Sequence, residues 1–239
     1  SLVDGSVLRR GETLGLVHDH ISAADLVITQ SERQRQLAME NLGVDSVVVG
    51  SGIPIPPPSA ELPEDGYVLW VGRCDPIKRP WVFLELAKRA PERRFAMVLT
   101  PGLPLLFDEL HTEAAGIPNL EMISRVPYAE MQELYAGSGL VVSTSISEGM
   151  PNVFIEAAAA GRPFVSYAVD PQGLLTDGRA GVCAGNDFDV LTDVVRELMA
   201  DPVKRTRMGM EGRALAERTW DVRLTARRYV DALCSLFQE

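Results

Sequence analysis

From Tyr67 onward the chain alternates short, continuous apolar runs with amphipathic segments, a pattern that few folds accommodate. Tyr67-Val-Leu-Trp-Val71 offers no polar residue to solvent, so it reads as a strand covered on both faces. Further strands are expected at 95–99, 120–123, 140–143 and 163–167. Between them lie helical signals. Pro80 opens a segment whose Val82, Phe83, Leu86 and Ala87 fall on one side. Others cover 103–114, the stretch carrying Met131, Leu134 and Tyr135, and about 152–160. Val190, Leu191, Val194, Val195, Leu198 and Met199 then repeat at helical spacing. Strands alternating with helices predict an α/β chain with a doubly wound parallel sheet.

Ahead of that region lies a smaller α/β segment: a helix up to Asp25, a strand at 26–30 and another at 47–49. Ser31 is the expected N-cap of a helix running to about Asn41, and Gly43 ends it. Ile53-Pro-Ile-Pro-Pro-Pro58 and an acidic tail to Gly66 read as an extended connector. The expected division is 1–52, a linker at 53–66, the main domain at 67–220, and a C-terminal amphipathic helix at 221–239. That helix is expected to dock its apolar Val222, Ala226, Tyr229, Val230, Leu233 and Phe237, leaving Arg223, Arg227 and Arg228 solvated.

Composition removes several function classes. A net charge of −10 repels nucleic acid. No apolar run approaches the roughly 20 residues of a membrane span. Ser1–Gly11 lacks the pattern of a secretory signal, and the opening Ser-Leu fits a cloning remnant. Cys74, Cys183 and Cys234 have no metal or disulfide spacing, which points to a reducing cytoplasm and to three buried small hydrophobes. His18, His20 and His111 read as surface or packing residues, and no His/Glu spacing suits zinc.

In open parallel sheets, ligands bind beyond the carboxyl ends of strands, so the loops there carry the chemistry. After 67–71 comes Gly72-Arg-Cys-Asp-Pro-Ile-Lys78: Gly72 lets the chain turn and a ligand approach, and Arg73 and Lys78 suit a diphosphate leaving group. After 140–143, Glu148-Gly149 precedes a helix that Pro151 opens. The N–H groups of Asn152, Val153 and Phe154 then face outward as an anion site. Glu156, one turn in, leans back toward the same mouth, where a carboxylate could accept both hydroxyls of a vicinal diol such as a ribose. Together these features fit a sugar attached to a nucleoside diphosphate.

Val71-Gly-Arg-Cys-Asp-Pro-Ile-Lys78 with Pro80 resembles the phosphate loop of the family-4 retaining glycosyltransferases. Ser147-Glu-Gly-Met-Pro-Asn-Val-Phe-Ile-Glu-Ala157 and Gly161-Arg-Pro163 resemble that family's E-x7-E signature and the turn after it. Arg125-Val-Pro and Leu134-Tyr135-Ala136 are similar to its nucleobase-side segment. The resemblance spans about 67–237. It implies a GT-B architecture of two Rossmann-like domains, with this chain holding the C-terminal domain and, in 1–52, the end of an N-terminal acceptor-side domain. It implies transfer of a hexose-type sugar with retention, from a nucleoside diphosphate sugar and without a metal or other cofactor. Arg73 and Lys78 would hold the diphosphate, Glu148 the transferred sugar and Glu156 the ribose. The main chain from Gly149 through Met150, Pro151 and Asn152 to Val153 would help with sugar and phosphate, and Arg125 and Val126 would meet the base.

The chain departs from that pattern at Thr100-Pro-Gly-Leu-Pro104 and at Val169-Asp-Pro-Gln-Gly173. A nicotinamide dehydrogenase, a nucleoside triphosphatase and a serine hydrolase lack their fingerprints; Ser143, Ser145 and Ser147 have no Gly-x-Ser-x-Gly frame. A nucleotide-sugar-binding module without turnover stays open as a reading, as does a nucleotide-sugar epimerase.

Overall fold

The structure, a computed structural model, describes residues 19–57, 63 and 65–237. His18, the first residues and much of the expected connector lie outside them. The chain divides into two compact units, one of Ser1–Gly52 with Arg223–Glu239 and one of Ile53–Val222.

In the first unit, strands β1 (Ile28–Thr29) and β2 (Val47–Val48) pair in parallel, with helix α1 (Glu32–Leu42) between them in sequence. Ser31 caps α1 by accepting the Gln34 N–H at 3.2 Å. Gly43 ends it at φ 65°, a left-handed conformation that favours glycine.

The second unit carries six parallel strands in the order β5-β4-β3-β6-β7-β8. They are β3 (Tyr67–Arg73), β4 (Phe95–Thr100), β5 (Leu120–Ile123), β6 (Ser138–Ser143), β7 (Phe164–Ser166) and β8 (Gly181–Cys183). Helices α2 (Pro80–Arg89), α3 (Pro104–Ala114) and α6 (Phe188–Ala200) contribute to one core with Val68, Trp70, Met97 and Leu140. Helices α4 (Tyr128–Gly137), α5 (Asn152–Ala159) and α7 (Pro202–Thr219) contribute to the other with Leu69, Val98 and Val141. Neighbouring residues of one strand thus enter opposite cores. The doubly wound sheet anticipated from the apolar runs is the observed one.

Two elements escaped the sequence reading. β8 is too short to show a period, and α7 shows little amphipathicity because its buried positions include Arg205, Gly209 and Gly212, which carry no apolar signal. Asp201 caps α7 through the Lys204 N–H at 2.8 Å, and Pro202 occupies its first turn. Gly209 lies so close to the preceding layer that an added Cβ would stand 2.1 Å from the Gly161 carbonyl oxygen. Arg205, 1% exposed, is fixed by the carbonyls of Leu198 (2.9 Å) and Met199 (2.7 Å) that end α6.

Three expectations are corrected. The last helix, α8 (Val222–Cys234), continues into a 3₁₀ turn at Ser235–Phe237, but its apolar stripe is not its buried side. Thr225 and Ala232 are buried, whereas Val222, Tyr229, Val230, Leu233 and Phe237 are exposed. The close approach is made by Gly52, where a Cβ would meet Thr225 at 2.6 Å. Only Cys74 of the cysteines is buried; Cys183 is half-buried and Cys234 exposed. Ile53 is no free connector: its N–H donates to the Trp220 carbonyl (2.8 Å), its carbonyl accepts from Val222 (2.9 Å), and Arg213 donates to Pro56 at 2.6 Å.

Candidate functional site

The strand order reverses between β3 and β6: successive connections from β3 run outward to β4 and β5, and those from β6 run the other way to β7 and β8. The carboxyl ends of these two strands therefore flank an opening that no crossover helix closes, the place where open α/β sheets take ligands. Both motifs singled out from the sequence fall there.

On the β3 side the strand runs on through Gly72 and Arg73, so Gly72 makes no turn. Its lack of a side chain serves packing instead, since a Cβ would stand 2.6 Å from the Trp70 indole. Asp75 then caps a 3₁₀ turn, Pro76–Lys78, by accepting the Ile77 N–H at 2.9 Å. Its second oxygen takes the Arg73 guanidinium at 3.0 Å. Those two contacts, the backbone one first, hold the Asp75 carboxyl below the ordinary carboxylate range. Arg73 stays two-thirds exposed, with 66% of its side chain open to solvent.

The β6 loop is tied to that turn at three points. Ile146 donates its N–H to the Ile77 carbonyl at 3.0 Å. Thr144, fully buried, donates its hydroxyl to the Lys78 carbonyl at 2.6 Å and accepts the Trp70 indole N–H at 2.9 Å. The Lys78 ammonium is ion-paired and hydrogen-bonded to Glu148 Oε1. Ser145, 2% exposed, donates to that same oxygen at 2.8 Å. Both donors converge on Oε1, so the carboxylate is fixed from one side. Lys78 (27%) and Glu148 (17%) are largely shielded, where their attraction is far stronger than in bulk water.

Behind this pair α5 starts at Asn152, with Pro151 buried as its N-cap and no side chain satisfying its first turn. The Pro151 carbonyl already takes the N–H of Phe154 (3.0 Å) and Ile155 (3.3 Å). The outward donors are therefore those of Asn152 and Val153, one fewer than expected. Gly149 is exposed and Met150 packs against the α4–α5 core.

Glu156 does not join Lys78 and Glu148. Its Oε2 accepts the hydroxyl of Tyr135, on α4, at 2.6 Å. It lines a slot with Ile53, Pro54, Pro56, Tyr128, Met131 and Gln132. Burial raises the Glu156 carboxyl above its ordinary value, and the Tyr135 bond opposes that rise. Burial, followed by the neighbouring Glu156 carboxylate, lifts the Tyr135 phenol well above its own. Arg125 and Val126 sit in the loop between β5 and α4, beyond the carboxyl end of the outermost strand on that side.

The structure thus brings Lys78 together with Glu148, links Arg73 to the Lys78 turn through Asp75, and sets Glu156 and Arg125 apart from them. Sequence reading missed Ser145, Thr144 and Tyr135 as partners. Ser145 lies three residues before Glu148, a spacing that suits a turn-stabilising hydroxyl and is the signal that could have found it. Among the described residues, no group of three His, Cys, Asp or Glu side chains could hold a metal ion. Among the same residues, no helix is long and apolar enough to cross a membrane.

A family model described as glycosyl transferases group 1 matches residues 65–201. The D-inositol 3-phosphate glycosyltransferase of Kribbella flavida is 30% identical over 206 residues, covering 78% of this chain and 48% of that protein. A GDP-mannose-dependent alpha-(1-6)-phosphatidylinositol monomannoside mannosyltransferase of Mycolicibacterium smegmatis is 37% identical over 167 residues, covering 62% of this chain and 41% of the other. The chain spans about half the length of the curated relatives it matches. Among solved structures, sucrose-phosphate synthase from Thermosynechococcus elongatus aligns with a TM-score of 0.79 at 20% identity, over 98% of this chain and 64% of the other. A mutant of S. aureus TarM, in complex with Fondaparinux, alpha-GlcNAc-glycerol and UDP, aligns with a TM-score of 0.80 at 18% identity, over 95% of this chain and 47% of that one.

Proposed function

Because this chain belongs to the group 1 glycosyl transferases, we propose that it supplies the donor side of a retaining enzyme transferring a hexose-type sugar from a nucleoside diphosphate to an acceptor. The bond between the anomeric carbon and the diphosphate oxygen breaks, an acceptor hydroxyl oxygen takes the diphosphate's place on the same face of the sugar, and the hydroxyl proton leaves with the departing diphosphate. The observation that carries this reading is the tie between Lys78 and Glu148 across the point where the strand order reverses. A cation and a carboxylate fixed side by side can serve the two ends of one scissile bond. Lys78, with Arg73 and the N–H groups of Asn152 and Val153, meets the charge growing on the departing diphosphate, without a metal. Glu148 takes sugar hydroxyls, Glu156 the ribose diol, and Arg125 and Val126 the base. The acceptor is held by a part of the longer protein. Since this chain spans about half of its curated relatives, we propose that taken alone it captures the donor without turning it over.

Calorimetry with UDP, GDP and their parent nucleosides tests the assignment. Arg73→Ala is expected to weaken the diphosphates about tenfold, the order of one charge-assisted hydrogen bond, and to leave the nucleosides unchanged. An equal effect on both classes refutes the role of Arg73. Absence of any diphosphate binding at millimolar concentration refutes the whole reading.

Glu156→Gln should weaken nucleotide binding without lowering the melting temperature near neutral pH. The raised Glu156 carboxyl keeps its proton in the folded chain after the unfolded chain has lost it. Stability contributed there therefore falls as pH rises through the window from the ordinary value of 4.5 to the raised one. Glutamine retains an acceptor for Tyr135 and removes the buried charge. A melting temperature well below wild type at pH 7, with wild-type behaviour at pH 4, contradicts this sign.

A further inference from the structure

We propose that Tyr135 is a positioning residue for the nucleoside end of the donor: its hydroxyl anchors one oxygen of Glu156 and so orients the carboxylate for the two hydroxyls of a ribose. The proposal rests on the reading that Glu156 takes the ribose. Tyr135 is 3% exposed, and its ring packs into the same core as Leu69, Val141 and Phe154. Its backbone is held as well, because its carbonyl accepts the Ser138 hydroxyl at 2.8 Å where α4 meets β6. The phenol is thus a fixed point, delivered from α4 to a carboxylate on α5 at 2.6 Å, a length typical of a hydroxyl bonded to a charged acceptor.

Glutamate has three rotatable bonds, and the helix restricts chiefly the first of them. A single strong bond from an immobile donor removes most of that freedom before any ligand arrives. Each carboxylate oxygen carries two lone pairs, so Oε2 keeps one acceptor site after Tyr135 has donated and Oε1 keeps both. That leaves room for a vicinal diol. The apolar lining of the slot, with Ile53, Pro54, Met131 and Ala159, keeps the local dielectric low and strengthens the bond. A phenylalanine at 135 would fill the core equally well. The hydroxyl is what needs explaining, because a buried donor without a partner is unfavourable.

The test compares UDP and GDP with their 2′,3′-dideoxy forms on the wild-type chain, Tyr135→Phe, Glu156→Gln and the double variant, with thermal melting as the fold control. Wild type is expected to favour the diol forms about tenfold. Tyr135→Phe should lose most of that preference while its affinity for the dideoxy forms stays unchanged. The double variant should lose no more than Glu156→Gln alone. A wild-type ratio retained in Tyr135→Phe overturns the proposal and leaves the role of Glu156 standing. No diol preference in wild type overturns the role of Glu156, and the proposal with it. Should the phenylalanine variant melt early, the 13Cζ resonance of Tyr135 in wild type decides. It should move on addition of UDP or GDP and not with pyrophosphate; an equal response to pyrophosphate, or none to either nucleotide, overturns the assignment.

Discussion

Lys78→Ala is expected to lower kcat/KM for sugar transfer by the longer protein roughly 10²- to 10³-fold, the loss typical of removing one fixed donor to a developing oxyanion. The ammonium acts at two places. In the proposed reaction it would face the diphosphate as charge accumulates there, and it is bound to Glu148 Oε1, the carboxylate assigned to the sugar. Ser145 keeps its own bond to that oxygen, so the carboxylate stays near its position and the loss falls on the departing group. The reduction should therefore lie mainly in kcat, with a smaller change in KM. Lys78→Arg should recover little, because a planar guanidinium cannot reproduce the bond that a compact ammonium makes to Glu148 Oε1. The measurement is steady-state transfer by the full-length protein. A loss under tenfold would remove Lys78 from the chemistry and leave it as a brace between two loops.

The second large effect concerns stability. Alanine in place of a helical glycine ordinarily stabilises by up to ~1 kcal/mol, yet Gly209→Ala should destabilise by roughly 1–3 kcal/mol. For a domain of this size that lowers the melting temperature by roughly 3 to 10 °C. The new methyl group would stand 2.1 Å from the Gly161 carbonyl oxygen, backbone that cannot swing aside as a side chain would. Gly212 on the same helix is the control. There a Cβ meets Ala158 at 3.6 Å, ordinary contact, so Gly212→Ala should be neutral or slightly stabilising. Equal melting temperatures for the two variants, read by calorimetry, would contradict the close approach of α7 to the end of α5.

These two sites also show what the amino-acid sequence discloses and what it hides. β3, β4 and β6 were legible because strands buried on both faces carry short continuous apolar runs, here bounded by polar and turn residues. The loops beyond β3 and β6 were legible because glycine, proline, cations and acids cluster there against an apolar background. α7 was hidden because two glycines and an arginine occupy much of its buried side, which leaves no clear hydrophobic period to find. α8 misled in the opposite sense: its apolar spacing is real, but Thr225 and Ala232, not the large residues, are buried. Within the site, the type of each charged residue could be read but not its partner. Lys78 and Glu148 stand 70 positions apart and meet only because β3 and β6 are neighbours. Tyr135 read as part of an apolar helix stripe and of the Leu134-Tyr135-Ala136 resemblance, and neither pattern discloses that its phenol meets Glu156.

The two loops that depart from the resembled family, Thr100–Pro104 and Val169–Gly173, follow β4 and β7, each one strand outward from the central pair. The two departures thus lie on the shoulders of the opening, while the Lys78–Glu148 pair stays on its midline. Either shoulder could therefore be rewritten alone without disturbing the cation and carboxylate held between them.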